Sequence, residues 1–150
     1  MDNISREFAV KIELCTTMKQ LEHFGPTMIR KYCFLVNNLA GHNYSSIIEK
    51  CVQYIDVHYE EPITLEILSY YCHATPSYLS SLFKKETNSS ITEYINNTRI
   101  EHSLLLLNTT KLSIQEISQR CGYGDPNYYT RMFKKLKGVT PLAYRKSVQG

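Results

Sequence analysis

The chain has 150 residues, of which 43% are hydrophobic and 21% are charged, and its formal net charge is +3 at pH 7. No apolar run approaches the ~18 residues of a membrane-spanning helix, and the start MDNISREF lacks the cationic and apolar segments of a secretory signal. These properties predict a small globular protein with one or two modest cores and no membrane contact.

Two helices are predicted in residues 1–44, because apolar residues recur there at three- and four-residue steps on both sides of Gly25 and Pro26. A third helix is predicted to begin at a capping box of Ser46 and Glu49, and to end before Pro62. The five cysteines are odd in number and widely spaced, which favours free thiols in a reducing cytoplasm over disulfides. They are Cys15, Cys33, Cys51, Cys72 and Cys121.

The rest of the chain contains a repeat. PSYLSSLFKK begins at Pro76, and PNYYTRMFKK begins at Pro126. Aligning residues 64–94 on residues 113–144, with Asp125 as one insertion, leaves 8 of 31 positions identical. A helical pattern repeated at this distance indicates two copies of one supersecondary unit. Each copy is predicted to be a helix-turn-helix, at about residues 64–87 and 113–137, in which Tyr78, Tyr128 and both phenylalanines belong to the core.

Capping residues place the boundaries of these helices. Thr64 caps the first repeat, and Thr75 followed by proline begins its second helix after a turn at His73 and Ala74. A spacer helix over about residues 90–108 starts at a capping box of Ser90 and Glu93. The second repeat uses the equivalent signals, which are Ser113 with Glu116, Gly122 and Gly124 in the turn, Asp125 before Pro126, Gly138 at the end, and Thr140 before a last helix.

Polar side chains on the outer faces of the two second helices are predicted to read base pairs in a DNA major groove. Arg131 is the strongest candidate, because its planar fork can donate twice to guanine, which is worth about 1–3 kcal/mol of discrimination. Asn127 suits adenine, and Thr130 suits a thymine methyl group. The first repeat offers only short hydroxyls, for which weaker or water-mediated reading is expected. These are Ser77, Ser80 and Ser81.

Phosphate contacts are predicted for the lysines that end both second helices. Residues 111–150 hold eight basic and two acidic side chains, whereas residues 1–60 hold six and seven, and residues 61–110 hold three and five. Such a local excess suits a polyanion, although a solvated surface or a favourable helix C-terminus would also explain it. The lysines are Lys84, Lys85, Lys134 and Lys135, and the helix N-termini at Ser90 and Thr140 could donate amides as well.

The chain resembles the DNA-binding domain of the AraC/XylS family of bacterial transcription regulators over roughly residues 45–148. The second repeat carries the resemblance best, in IQEIS from Ile114, CGYGDPNYYTRMFKK from Cys121 and GVTPLAYR from Gly138. TLEIL from Thr64, TPSYLSSLFKK and RIEHSLLLL are similar to the family too. Departures are Ser69 and Ser118 where alanine is common, and His73 where glycine is common in the first turn.

The resemblance implies an all-α domain over residues 45–150, with two tandem helix-turn-helix units in successive major-groove segments. It also implies promoter binding, contact with RNA polymerase, and a phosphate-positioning role for Arg99, for which an intramolecular salt bridge is the alternative. Family members carry a sensor or receiver domain upstream, which residues 1–44 are too few to form. They are interpreted as part of a linker from a longer regulator or, less favoured, as a dimerising helical pair.

An enzyme is the first rival class. The five histidines lie on separate segments, and Cys72 and His73 are too close together to share an ordinary tetrahedral metal site. No nucleophile motif or glycine-rich phosphate loop is present. No catalysis, metal or cofactor is therefore expected. The second rival is a helical protein-interaction module that uses the same fold without DNA.

Overall fold

The computed structural model describes residues 44–149. The two helices predicted in residues 1–44 lie outside the described residues, and Tyr44 precedes the first described helix. The described residues form seven α-helices and no strand. The helices are α1 (Ser46–His58), α2 (Leu65–Cys72), α3 (Pro76–Thr87), α4 (Ile91–Thr109), α5 (Ile114–Arg120), α6 (Pro126–Lys137) and α7 (Pro141–Gln149).

The helix α1 packs against α2 and α3, and its start differs from the prediction. Ser45, not Ser46, is the N-cap, and Ser46 already lies in the helix, so the predicted Ser46 capping box is wrong. The Ser45 amide and hydroxyl instead donate to Glu86 Oε2 at 2.8 and 3.1 Å. A distant carboxylate on α3 therefore satisfies the start of α1. The buried apolar side chains of these three helices are Ile48, Cys51, Val52, Ile55, Leu68, Cys72, Leu79 and Phe83.

The predicted spacer helix is α4, and it contributes to both halves of the domain. It begins at the predicted capping box, in which Ser90 Oγ accepts from the Glu93 amide at 3.2 Å and the Ser90 amide donates to Glu93 Oε2 at 2.9 Å. It packs against α1 and α3 on one side of the chain and against α5, α6 and α7 on the other. The spacer is thus part of both cores.

The second core lies among α4, α5, α6 and α7. It is rich in aromatic side chains, which meet edge to face or tilted, as in Phe133 and Tyr144 with ring centroids 5.7 Å apart. The first half contains the equivalent pair, Phe83 and Tyr94, at 5.4 Å. The fully or almost fully buried members of the second core are Ile100, Leu107, Ile117, Cys121, Tyr123, Tyr129 and Phe133.

The repeat seen in the sequence is repeated in the backbone. We call residues 64–88 unit one and residues 113–138 unit two. In unit one the Ala74 amide donates to the Ser69 carbonyl at 3.0 Å, and in unit two the Tyr123 amide donates to the Ser118 carbonyl at the same distance. Ser69 and Ser118 are both buried, so a small side chain is kept at these positions.

Each turn contains one left-handed residue at the equivalent position, and the two units have different residues there. His73 adopts φ 52° and Gly122 adopts φ +79°. A Cβ at Gly122 would lie 2.6 Å from the Tyr59 carbonyl oxygen, which is far inside contact distance. Unit two therefore requires glycine for space as well as for conformation, whereas unit one accommodates a histidine at the cost of backbone strain.

Candidate nucleic-acid interface

The second helix of each unit begins with a capped proline turn, as predicted. Thr75 Oγ1 accepts from the Tyr78 amide at 3.4 Å, and Asp125 Oδ1 accepts from the Asn127 amide at 2.9 Å. Proline follows each cap, where its missing amide costs no hydrogen bond. Left-handed residues end the two helices, Asn88 at φ 56° and Gly138 at φ +79°. Both helices thus present the same stretch of outer face, three turns long.

The side chains predicted to read bases lie mainly on the exposed side of these helices. Asn127 and Arg131 of α6 are exposed, and so are the three serines of α3. Thr130 is only partly exposed, and its hydroxyl donates to the Pro126 carbonyl at 2.9 Å. Thr130 can therefore offer its methyl group to a base more readily than its hydroxyl proton. The exposed serines are Ser77, Ser80 and Ser81.

The lysines predicted to contact phosphates are all exposed at the C-terminal ends of α3 and α6. Another lysine at the end of α6, Lys137, was not among those predicted. It forms an ion pair with Glu101 of α4 and is partly covered. The charge of Lys137 is therefore balanced within the protein, unlike the charges of the four exposed lysines that were predicted to contact phosphates. The exposed four are Lys84, Lys85, Lys134 and Lys135.

The two helix N-termini predicted to meet phosphates are not equivalent. The Ser90 amide and hydroxyl both donate to Glu93 Oε2, at 2.9 and 2.8 Å. The hydrogen bond from the Ser90 backbone, assisted by the charges of Lys135 and Lys84, lowers the pKa of Glu93, which is therefore ionised at neutral pH. A carboxylate already occupies this helix start and would repel a phosphate, which disfavours a phosphate contact at Ser90.

Thr140 remains a suitable phosphate site. Its Oγ1 accepts from the Ala143 amide at 3.3 Å, which caps α7. The residue three positions after Thr140 is Ala143, whereas the residue three positions after Ser90 is Glu93. No acidic residue lies in the first turn of α7. The partial positive charge of this helix start is consequently not cancelled by a carboxylate on the same turn.

Arg99 forms hydrogen bonds within the domain. Its Nε donates to the Tyr59 carbonyl and its NH2 nitrogen donates to the Glu61 carbonyl, both at 2.8 Å. The guanidinium also lies 5.4 Å from the centroid of the Tyr123 ring, and burial lowers its pKa. Arg99 thus ties α4 to the loop after α1, and these bonds argue against a phosphate contact. They are bonds to backbone carbonyls, not the salt bridge weighed as the alternative.

The tyrosines that follow the proline turns were wrongly predicted to be core residues. Tyr78 is 53% exposed and Tyr128 is 38% exposed, while their neighbours Leu79 and Tyr129 are fully buried. Successive side chains on a helix are about 100° apart, so a residue beside a buried one can lie at the edge of the core. The four-residue spacing from Tyr129 to Phe133 was the signal that identifies the buried stripe.

No helix between residues 44 and 149 is both long and apolar enough to cross a membrane. Over the same residues, no three His, Cys, Asp or Glu side chains are grouped in a way that could hold a metal ion. The three described cysteines are free and buried, and burial raises the pKa of Cys51 and of Cys121 to about 12. These thiols are therefore protonated core residues at neutral pH.

Known proteins share both the sequence pattern and the fold. Residues 68–147 match a family model described as a helix-turn-helix domain. The chain is 36% identical over 101 residues to an uncharacterized HTH-type transcriptional regulator, YijO, of Escherichia coli strain K12. The alignment covers 67% of this chain and 36% of that regulator, so the chain spans little more than a third of its relative's length.

Solved structures agree. The C-terminal domain of AraT, a response regulator from Geobacillus stearothermophilus, is 35% identical with a TM-score of 0.68, and the match covers 70% of this chain and 88% of that domain. The DNA-binding domain of AdpA, solved with a target DNA, shares the fold at 24% identity and a TM-score of 0.65, over 69% of this chain and 93% of that one. The chain belongs to the AraC/XylS family of transcription regulators, which are not enzymes, and residues 44–149 have the fold of the family's DNA-binding domain.

Proposed function

We propose that this chain binds double-stranded DNA with sequence preference by placing α3 and α6 in successive major-groove segments of a bacterial promoter. One observation supports this most directly: both helices carry an exposed polar stripe followed by two exposed lysines, at equivalent positions of the two units. Polar side chains near a helix N-terminus suit base edges, and lysines further along suit phosphates. The DNA-binding domain is assigned to residues 45–150.

The two helices have unequal parts in this proposal. In α6, Arg131 and Asn127 contact bases directly, and Thr130 contributes its methyl group. In α3 the three exposed serines give weaker or water-mediated contacts. Phosphate contacts come from the four exposed lysines and from the amides at Thr140. Neither Arg99 nor Ser90 is retained as a phosphate ligand, since each is engaged within the domain.

Three further parts of the proposal concern the whole regulator. Contact with RNA polymerase is proposed because the chain belongs to a family of transcription regulators. A sensor or receiver domain in a longer chain is consistent with a relative of which this chain covers 36%. A cytoplasmic location fits DNA binding and the free thiols of the described cysteines.

A salt titration on DNA tests the central claim. The full chain is titrated with a labelled random-sequence duplex at two or more salt concentrations, and the logarithm of the affinity is plotted against the logarithm of the salt concentration. Four lysines on phosphates predict a slope of about −3.6, at about −0.9 for each contact. Absence of binding at low salt, or binding that does not change with salt, would instead identify a protein-interaction module.

A pair of variants assigns the slope to its residues. Replacing Lys134 and Lys135 by alanine should reduce the slope by about two contacts. Lys50→Ala is the matched control, because Lys50 is an exposed cation on α1, outside both units. A loss in the control of half the size seen in the double variant, which is the same loss for each charge removed, would show that general charge rather than the end of α6 determines binding.

A further inference from the structure

Tyr128 lies next to the side chain that is best suited to read a base. The central carbon of the Arg131 guanidinium is 5.9 Å from the centroid of the Tyr128 ring, within the range of about 6 Å for a cation–π contact. The two residues are three apart on α6 and so face the same side of the helix. Both side chains are exposed, which leaves the contact at the surface that faces a ligand.

The Tyr128 ring is in turn held by the spacer helix. Asn96 Nδ2 lies 3.5 Å from the Tyr128 hydroxyl, and the Tyr123 ring is 5.9 Å away at an angle of 55°. Asn96 is buried and its amide is fixed at both ends. Its Nδ2 also donates to the Thr92 carbonyl at 2.9 Å, and its Oδ1 accepts from the Tyr123 hydroxyl at 3.0 Å.

These contacts form a chain from a buried amide on α4 to an exposed guanidinium on α6. A free arginine side chain samples many rotamers, and ordering it on a base costs conformational entropy. A ring fixed beneath the guanidinium reduces that cost and orients the planar fork, as preorganisation does in other binding sites.

We propose that Tyr128 is a positioning residue for Arg131, so that the base preference of α6 depends on a tyrosine that itself reads no base. The proposal rests on the base contact of Arg131 proposed above. The ring of Tyr128, rather than its hydroxyl, orients the guanidinium, and the long contact from buried Asn96 on α4 is an auxiliary support for that ring.

Unit one supplies an internal control. Tyr78 is the equivalent tyrosine and is also exposed, but the residue three positions later is Ser81. A serine is too short to lie across a ring and has no cation to attract. Tyr78 therefore has no side chain of this kind to position, and its replacement should leave base discrimination unchanged.

The test measures discrimination between two duplexes. A bound site is selected from a random library with the full chain, and a second duplex carries the one base-pair change to which Arg131→Ala has become indifferent. Dissociation constants for both duplexes are measured by fluorescence anisotropy for the wild type, Tyr128→Leu, Tyr128→Phe and Tyr78→Leu. The same measurements are made in the Arg131→Ala background. Thermal unfolding of each variant shows that the domain remains folded.

Tyr128→Leu should lower the discrimination ratio about two- to fivefold, the range of a surface cation–π contact. Tyr128→Phe keeps the ring and should retain most of the ratio, and Tyr78→Leu should not alter it. In the Arg131→Ala background, Tyr128→Leu should have no further effect on the ratio, because the two residues act as one unit.

Two results would overturn the positioning role alone. Tyr128→Leu could weaken both duplexes equally, or it could lower the ratio by the same factor when Arg131 is absent. Either result would give Tyr128 a role independent of Arg131 while leaving the proposed base contact intact. If Arg131→Ala kept every base preference of the wild type, the base contact itself would fail, and the positioning role would fail with it.

Discussion

The turns of unit one and unit two begin with the same backbone hydrogen bonds, but they carry different side chains. The left-handed residue is a histidine in one and a glycine in the other, and the outer face of the second helix carries serines in one and Asn127 and Arg131 in the other. A backbone can therefore be conserved within a repeat while its chemistry diverges. The turn of unit two lies directly against the loop after α1, where Gly122 meets the carbonyls of Tyr59 and Glu60.

The largest expected difference is in stability. Gly122→Ala should destabilise the domain by roughly 2–5 kcal/mol, since it adds a left-handed non-glycine residue and an overpacked contact. Its Cβ would meet the Tyr59 carbonyl at 2.6 Å. Gly138→Ala is the control, with the same φ of +79° and no atom within 4 Å. Chemical unfolding should show a clearly smaller loss for Gly138→Ala, and equal losses would refute the steric argument.

The next difference is in base recognition. Arg131→Ala should relax preference at one base pair by about 1–3 kcal/mol, whereas Ser81→Ala at the equivalent position should change preference much less. Lys135→Ala should weaken all sequences alike, because a phosphate contact carries no sequence information. Selection of sites from a random library, followed by affinity measurements, checks all three. A uniform loss for Arg131→Ala would show that it is another phosphate ligand.

A smaller effect is expected at the left-handed residue of unit one. His73→Gly should stabilise the domain by about 1 kcal/mol, because glycine adopts φ 52° without the strain of a Cβ. His73→Ala keeps the strain and should give no comparable gain. Unfolding by denaturant compares the two variants directly, and a gain shared by both would place the effect in the histidine ring instead.

The smallest expected effect is on the stability of the domain at acid pH. Glu93 has its pKa lowered from 4.5, first by the hydrogen bond from the Ser90 backbone, whereas the equivalent residue after unit two is Ala143. A carboxyl whose pKa is lower in the folded state stabilises the fold above its unfolded pKa, and this contribution is lost as the pH falls through the lowered value.

Glu93→Gln should keep the capping box and make stability less dependent on pH below the ordinary glutamate pKa of 4.5. Ala143→Glu should introduce the opposite change at α7. Unfolding free energies measured as a function of pH test both variants. An unchanged pH dependence in Glu93→Gln would mean that other carboxylates control acid unfolding.

Local signals in the sequence were enough to place most of the helices. Ser90 with Glu93 and Ser113 with Glu116 begin helices because the bonds that cap them join residues three apart. The capping box predicted at Ser46 was wrong because the partner at the start of α1 is not local. The Ser45 amide donates to the carboxylate of Glu86, which is distant in sequence. A pattern read over a few residues cannot reveal a partner forty residues away.

The candidate site divides in the same way. The exposed stripes on α3 and α6 follow from helical periodicity once the buried residues are known, and Arg131 could be singled out by its chemistry alone. The hydrogen bonds of Arg99 could not be predicted from the sequence, because its two acceptors are carbonyls of a loop that the packing of α1 on α4 brings near. The exposure of Tyr128 was also missed, since it depends on how far the core extends around α6.

The amino-acid sequence by itself determined that the chain is helical, that a unit occurs twice, and which side chains of that unit are polar, because these properties depend on neighbours along the chain. Tertiary packing decided what those side chains can do. Arg99 and Ser90 form hydrogen bonds within the domain, and two tyrosines are exposed at the surface. A Cβ fits in the turn of unit one but not in the turn of unit two. Each of these outcomes depends on contacts between residues far apart in sequence, which no local pattern contains.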